Sequence, residues 1–167
     1  MSLRYLAYGS NLHPGRLGAR IAIEGFLGTT ALPGWRLTFD KRGADGSAKC
    51  DLKHTGMAGD CAWGAVYALD PAAKATLDAI EGLGKGYGER ELIVPELGAV
   101  ALYVASGSAL DPTLVPFDWY REIVVAGARH HGFPASYVAS IAAVAACRDP
   151  DAERAAKHRE LLASLRA

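Results

Sequence analysis

The chain has no long hydrophobic run. Its alanine-rich stretch from Ala135 to Ala146 is too short and too interrupted to span a bilayer, which takes ~20 apolar residues. There is no excess of charge: 18 Lys and Arg stand against 18 Asp and Glu. No basic stripe marks a phosphate backbone as a partner, and no basic amphipathic helix marks a membrane surface. The expected partner is a small molecule, with no nucleic acid and no membrane. Cysteine is scarce too. Cys50, Cys61 and Cys147 form an odd set without CxxC spacing, so three reduced thiols are expected rather than a disulfide framework. Met1-Ser2-Leu3-Arg4-Tyr5 lacks the charged and then apolar regions of a secretion signal. A cytoplasmic protein is the expectation.

What is present is an ordinary globular composition, half of it apolar. The 167 residues suit one domain, 1–167, around one core. No repeat or low-complexity linker divides them, and no heptad seam is evident, so a monomer or homodimer is expected.

The first half reads as strands and turns. Leu3 to Tyr8 is an apolar run stopped by Gly9, as for a buried strand feeding a turn. Phe26 to Ala31 and Trp35 to Phe39 are strand-like pieces hinged at Pro33-Gly34. Lys41 to Asp60, rich in Gly, Asp and Lys, reads as a long irregular excursion. Ala62 to Leu69 reads as a central strand. Asp70-Pro71 then predicts a helix start, which carries Leu77 and Ile80 on one face and ends near Glu81-Gly82. Gly84, Gly86 and Gly88 predict a flexible loop around Tyr87. Glu91 to Pro95 and Val100 to Ala105 form a strand pair across Gly98. From Pro116 the spacing is helical, and Asp149-Pro150 repeats the capping signal before a last helix. Strands first and helices later, without βαβ alternation, predict an α+β fold.

Two features could carry chemistry. A strand ending in Tyr8-Gly9-Ser10-Asn11 places backbone N–H groups at a bend that a ligand can approach, which suits a carboxylate or a developing oxyanion. The plainer reading is a capped turn with Asn11 as the N-cap. Glu81 sits at a helix end where the macrodipole prefers cations. Partial burial there would make it a usable acid or base, whereas the plainer reading is a solvated surface glutamate. Other features carry less. His130-His131 point to different helix faces, have no partner at ligand spacing, and read as helix-end residues whose charge suits the dipole. His13, His54 and His158 are scattered. No G-x-S-x-G elbow accompanies Ser10, and the glycines after Glu81 do not form a dinucleotide loop. Tyr87 in its glycine-rich setting reads as a lid or ligand wall.

Tyr5-Leu6-Ala7-Tyr8-Gly9-Ser10-Asn11-Leu12 resembles the opening motif of the γ-glutamylcyclotransferases. The likeness continues through Trp63-Gly64-Ala65-Val66-Tyr67, Leu77-Asp78-Ala79-Ile80-Glu81-Gly82, Tyr87, and Tyr120-Arg121 with Gly132-Phe133-Pro134. The resemblance implies a mixed, partly barrel-like β-sheet core flanked by helices. It also implies conversion of a γ-glutamyl-amino acid or γ-glutamyl amine to 5-oxoproline, with Glu81 as general acid/base. Tyr5, Leu6, Ala7, Tyr8, Gly9, Ser10 and Asn11 would bind the substrate, closed in by Tyr87 and Tyr120. Neither metal nor cofactor is implied. Glutathione-specific relatives usually carry leucine after Tyr-Gly-Ser, so Asn11 points to the broader γ-glutamyl branch. Two other readings stand beside it: a cyclotransferase that removes a γ-glutamyl protecting group in biosynthesis, and a non-catalytic module sensing a small acidic metabolite.

Overall fold

The computed structural model describes residues 2–167. Strand β1 (Leu3–Ala7) is buried from Tyr5 onward. It has neighbours on both sides, an antiparallel one with Leu6 opposite Val66 and a parallel one with Tyr5 opposite Ala101. An unbroken apolar run is what such an interior strand requires. The short helix α1 (Pro14–Gly18) follows, then β2 (Gly25–Pro33), β3 (Trp35–Arg42), β4 (Ala48–His54) and β5 (Cys61–Leu69). After helix α2 (Pro71–Glu81) come β6 (Tyr87–Val94) and β7 (Gly98–Ala105), and three helices finish the chain: α3 (Asp118–His130), α4 (Ala135–Ala142) and α5 (Ala152–Arg166).

Five strands form a mixed sheet in the order β2-β5-β1-β7-β6, and β3 pairs with β4 as a separate ribbon. The ribbon touches the sheet through β3 on β5 and β4 on β7. A buried side chain ties it there, since Asp51 Oδ1 accepts the Ala105 N–H at 2.7 Å. The β core is thus partly barrel-like and not a closed barrel, and with its helices the fold is α+β. Leu6, Leu12, Leu17, Tyr67, Leu77 and Ile123 are among the fully buried side chains, each apolar one contributing about 1.5–3 kcal/mol on leaving water.

Three expectations need correction. The stretch 41–60 is not irregular, because β4 lies within it. Its signal is the alternation Ala48, Cys50, Leu52, all buried, which the surrounding Gly, Asp and Lys obscure. In α2 the Asp70 side chain does accept from the Ala73 N–H (2.6 Å), and Gly82 closes the helix at φ 70° in the left-handed region. Its apolar face is narrower than expected, however: Leu77 is buried and Ile80 is exposed. The cap of α5 is Asp151, which accepts the Arg154 N–H. Asp149 instead accepts the Trp119 indole N–H at 2.9 Å and an Arg154 ion pair, and so fastens α5 to α3.

Candidate functional site

The turn after β1 and the C-terminal end of α2 meet. Asn11 is buried and does not cap a helix; His13 does that for α1, accepting the Gly15 N–H at 3.0 Å. The Asn11 side chain is thereby left to donate to Glu81 Oε1 at 3.0 Å and to the Tyr5 hydroxyl at 3.1 Å. Arg20 approaches from beyond α1, donating to the same Oε1 at 2.8 Å and to Asn11 Oδ1 at 3.2 Å. Glu81 Oε1 is therefore held twice. Oε2 accepts from no described residue and is not buried. The acid at an unfavourable helix end has its explanation in Arg20, whose charge offsets the dipole.

The turn offers donors beside that carboxylate. Only Leu12 spends its N–H across the bend, on the Gly9 carbonyl at 3.2 Å; those of Gly9, Ser10 and Asn11 find no acceptor among the described residues. Gly9 is required by contact, because a Cβ there would lie 2.8 Å from Cys50 Cβ. A small recess of about 20 Å³ is lined by Tyr5, Tyr8, Ser10, Glu81, Tyr87 and Tyr120, among others. That is room for roughly one water-sized group, such as a carbonyl or carboxylate oxygen.

The recess walls are fixed by hydrogen bonds. Tyr8 donates to the Tyr103 carbonyl at 2.6 Å, Tyr87 donates to the Cys50 carbonyl, and Tyr120 accepts the Cys50 N–H at 3.0 Å. Burial raises the pKa of Tyr8, Tyr87 and Tyr120 well above the phenol range, so they remain neutral. Burial likewise pushes the Cys50 thiol up to about 12. A thiol in that state is no nucleophile. Tyr87 is a wall and not a lid: it is buried as the first residue of β6, and the glycines before it are tied down. The Gly84 N–H reaches the Tyr87 carbonyl at 2.8 Å, and the Gly86 carbonyl accepts the Ser106 N–H at 2.9 Å. Leu6 and Ala7 line neither the recess nor the cavity beyond it; they are fully buried in the sheet.

Past Ser10, Glu81, Tyr87 and Tyr120 the recess opens into a chamber of about 740 Å³. The chamber is basic, although the chain as a whole is neutral. Lys49 pairs with Asp45, Arg42 with Asp111 and Arg154 with Asp149. Arg16, Lys41 and Lys85 also line it, and none has a carboxylate partner among the described residues. His158 on α5 closes one side, stacked on Trp119 at 3.7 Å. Burial, with Arg16 and Lys49 nearby, depresses its pKa to about 4. None of these chamber residues stood out in the sequence, because they come from separate segments. The one local signal is the pair Arg16 and Arg20, four residues apart just after the turn.

Of the histidine pair, His131 is structural and His130 is exposed. His131 contacts the Leu12 carbonyl at 2.7 Å and the Tyr67 hydroxyl at 3.0 Å, and burial lowers its pKa. A charge there is disfavoured, contrary to the helix-dipole expectation. Cys50, Cys61 and Cys147 are free thiols. Among the described residues no helix is long and apolar enough to cross a membrane.

Comparison with known proteins addresses this architecture. Residues 62–141 match the model of the AIG2-like family, a span that includes Glu81, Tyr87 and Tyr120 but not the N-terminal turn. A solved structure described as a gamma-glutamyl cyclotransferase superposes with a TM-score of 0.83 at 22% identity, over 98% of this chain and 99% of that one. An uncharacterized protein from Homo sapiens gives 0.79 at 22% identity, over 97% and 98%. YkqA from Bacillus subtilis gives 0.72 at 16% identity, over 87% of this chain and 56% of that one. No curated protein matches the sequence. The fold is γ-glutamylcyclotransferase-like, and the resemblance read from the sequence is borne out at that level.

Proposed function

We propose that the chain is a γ-glutamyl cyclotransferase, releasing 5-oxoproline and a free amino acid or amine from a γ-glutamyl amide. The observation that carries this reading is the open Oε2 of Glu81 beside the unspent N–H groups of Gly9, Ser10 and Asn11. The substrate's own α-amine attacks its γ-carbonyl. One C–N bond forms within the glutamyl unit, and the C–N bond to the leaving nitrogen breaks. Glu81 takes the proton from the attacking amine and delivers one to the leaving nitrogen. The N–H groups of the turn hold the carbonyl oxygen as it becomes an oxyanion, or the α-carboxylate. Asn11 and Arg20 fix Oε1, so that Oε2 faces the substrate in one orientation.

Nucleophile and electrophile are tethered, which leaves the protein mainly positioning and proton transfer to supply. Fixed tyrosines suit that task, since a near-attack geometry needs rigid walls. A chamber far larger than a glutamyl group accommodates a bulky leaving half, as removal of a protecting group would also require.

The Arg20–Glu81 ion pair favours a second reading, in which the cavity only binds a small acidic metabolite. A panel of γ-glutamyl amino acids, glutathione and γ-glutamyl amines, with 5-oxoproline as readout, separates the two. The cyclotransferase reading expects 5-oxoproline from at least one member. Binding without release from any of them would establish the sensor.

A further inference from the structure

Arg16 lies on α1, is only 9% exposed, and has no hydrogen-bond acceptor or carboxylate among the described residues. Its Nε is buried and unpartnered, while its terminal nitrogens are not buried and it lines the chamber. A largely buried guanidinium without a direct counter-ion is costly, and Glu81 acts on it only from a distance. Burial, with Arg20 as a like-charged neighbour, pulls its pKa down to about 10. Lys41, on β3, makes the same point. It stands directly across the ribbon from Lys49, a like-charge pairing that destabilises a strand pair. Lys49 has Asp45, whereas Lys41 rests on the Tyr87 ring at 4.5 Å and has no carboxylate partner among the described residues. Two unconnected elements thus carry unneutralised cations into one cavity, just outside the recess that holds Glu81.

We propose that the leaving half of the substrate is itself acidic, and that a second anionic group on it is received between Arg16 and Lys41. This rests on the cyclotransferase reading and narrows it. A γ-glutamyl amine with a neutral or cationic leaving group leaves Arg16 buried and unpaired. A leaving amino acid brings one α-carboxylate, which suits one of the two cations; an additional carboxylate serves the other, and guanidinium binds a carboxylate in a two-pronged fork.

γ-Glutamylglutamate and γ-glutamylglutamine have nearly the same shape and differ by one charge on the leaving half. The expected kcat/KM ratio is at least about tenfold in favour of the glutamate peptide, the worth of one hydrogen-bonded charge pair, and it shrinks with added salt. In Arg16→Gln the ratio falls toward one. Lys41→Gln, on a different element, lowers it as well and covers the case in which the Arg16 variant does not fold. A wild-type ratio near one, or a tenfold ratio that survives both substitutions, overturns the proposal. If neither peptide yields 5-oxoproline, it is the cyclotransferase reading that fails. Calorimetric binding of free L-glutamate against L-glutamine then decides the charge preference by itself: tighter glutamate binding lost in Arg16→Gln supports it, and equal binding contradicts it.

Discussion

The recess and the chamber are adjoining parts of one cavity system built on opposite rules. In the recess, Asn11, Tyr8, Tyr87 and Tyr120 are engaged by named partners, and Glu81 keeps one oxygen open. In the chamber, Arg16 and Lys41 have no carboxylate partner among the described residues. Satisfied hydrogen bonds give geometry, because each group has one low-energy position. Unsatisfied charge gives affinity for whatever arrives to neutralise it. Chemistry is assigned to the first region and recognition to the second. Substitutions should therefore divide the same way, with rate lost in the recess and charge preference lost in the chamber.

Among the residues that frame Glu81, the largest effect is expected at Gly9. Its hydrogen points at Cys50 Cβ, so Gly9→Ala requires the turn to move, and a displacement of that order can cost ~10²-fold in rate. A variant that folds by circular dichroism yet turns over normally would show that the turn does not hold the reacting atoms. Asn11→Ala comes next. It removes one of two holds on Oε1, and kcat should fall by about 10–100-fold with a smaller change in KM. A change confined to KM would move Asn11 from positioning the carboxylate to binding the substrate.

The smallest effect concerns stability, and it lies in the chamber. The His158 pKa is depressed to about 4 in the folded state, against about 6.5 when unfolded. The unfolded chain therefore binds the proton more readily between these values. The stability associated with neutral His158 is present above about 6.5 and is lost as pH falls toward 4. His13 and His131 are depressed too and act in the same direction. Urea midpoints at pH 7, 5 and 4 should thus decline less steeply in His158→Gln than in wild type. Parallel declines would mean that burial beside Arg16 and Lys49 does not hold the imidazole neutral.

The two regions were also unequally legible in the sequence. The recess is written mostly in two contiguous motifs, Tyr5 to Asn11 and Asp78 to Gly82, because a strand-end turn and a helix end each carry local signals. Asp70 and Gly82 bounded α2 as their chemistry predicts. The role of Asn11 was less legible, since Asn after a turn is also a good cap; that His13 takes the cap is visible only in three dimensions. For Tyr87 the flanking glycines leave lid and ligand wall equally open; the hydrogen bond to the Cys50 carbonyl that makes it a wall reaches 37 residues back along the chain, to a strand unseen in sequence. That strand, β4, was hidden by its charges. The chamber was far less legible: beyond the spacing of Arg16 and Arg20, its cations come from separate segments, the ribbon, the loop after α2 and α5, and a net charge of zero conceals a local excess.

Glu81 is the proposed proton carrier, and Glu81→Gln tests that role most directly. The substitution keeps the shape and the Asn11 contact while removing the base. On the best γ-glutamyl substrate, with unfolding midpoint and substrate binding retained, 5-oxoproline formation should fall by ~10²–10⁴-fold. Near-normal turnover on every accepted γ-glutamyl substrate by a folded Glu81→Gln protein would contradict it.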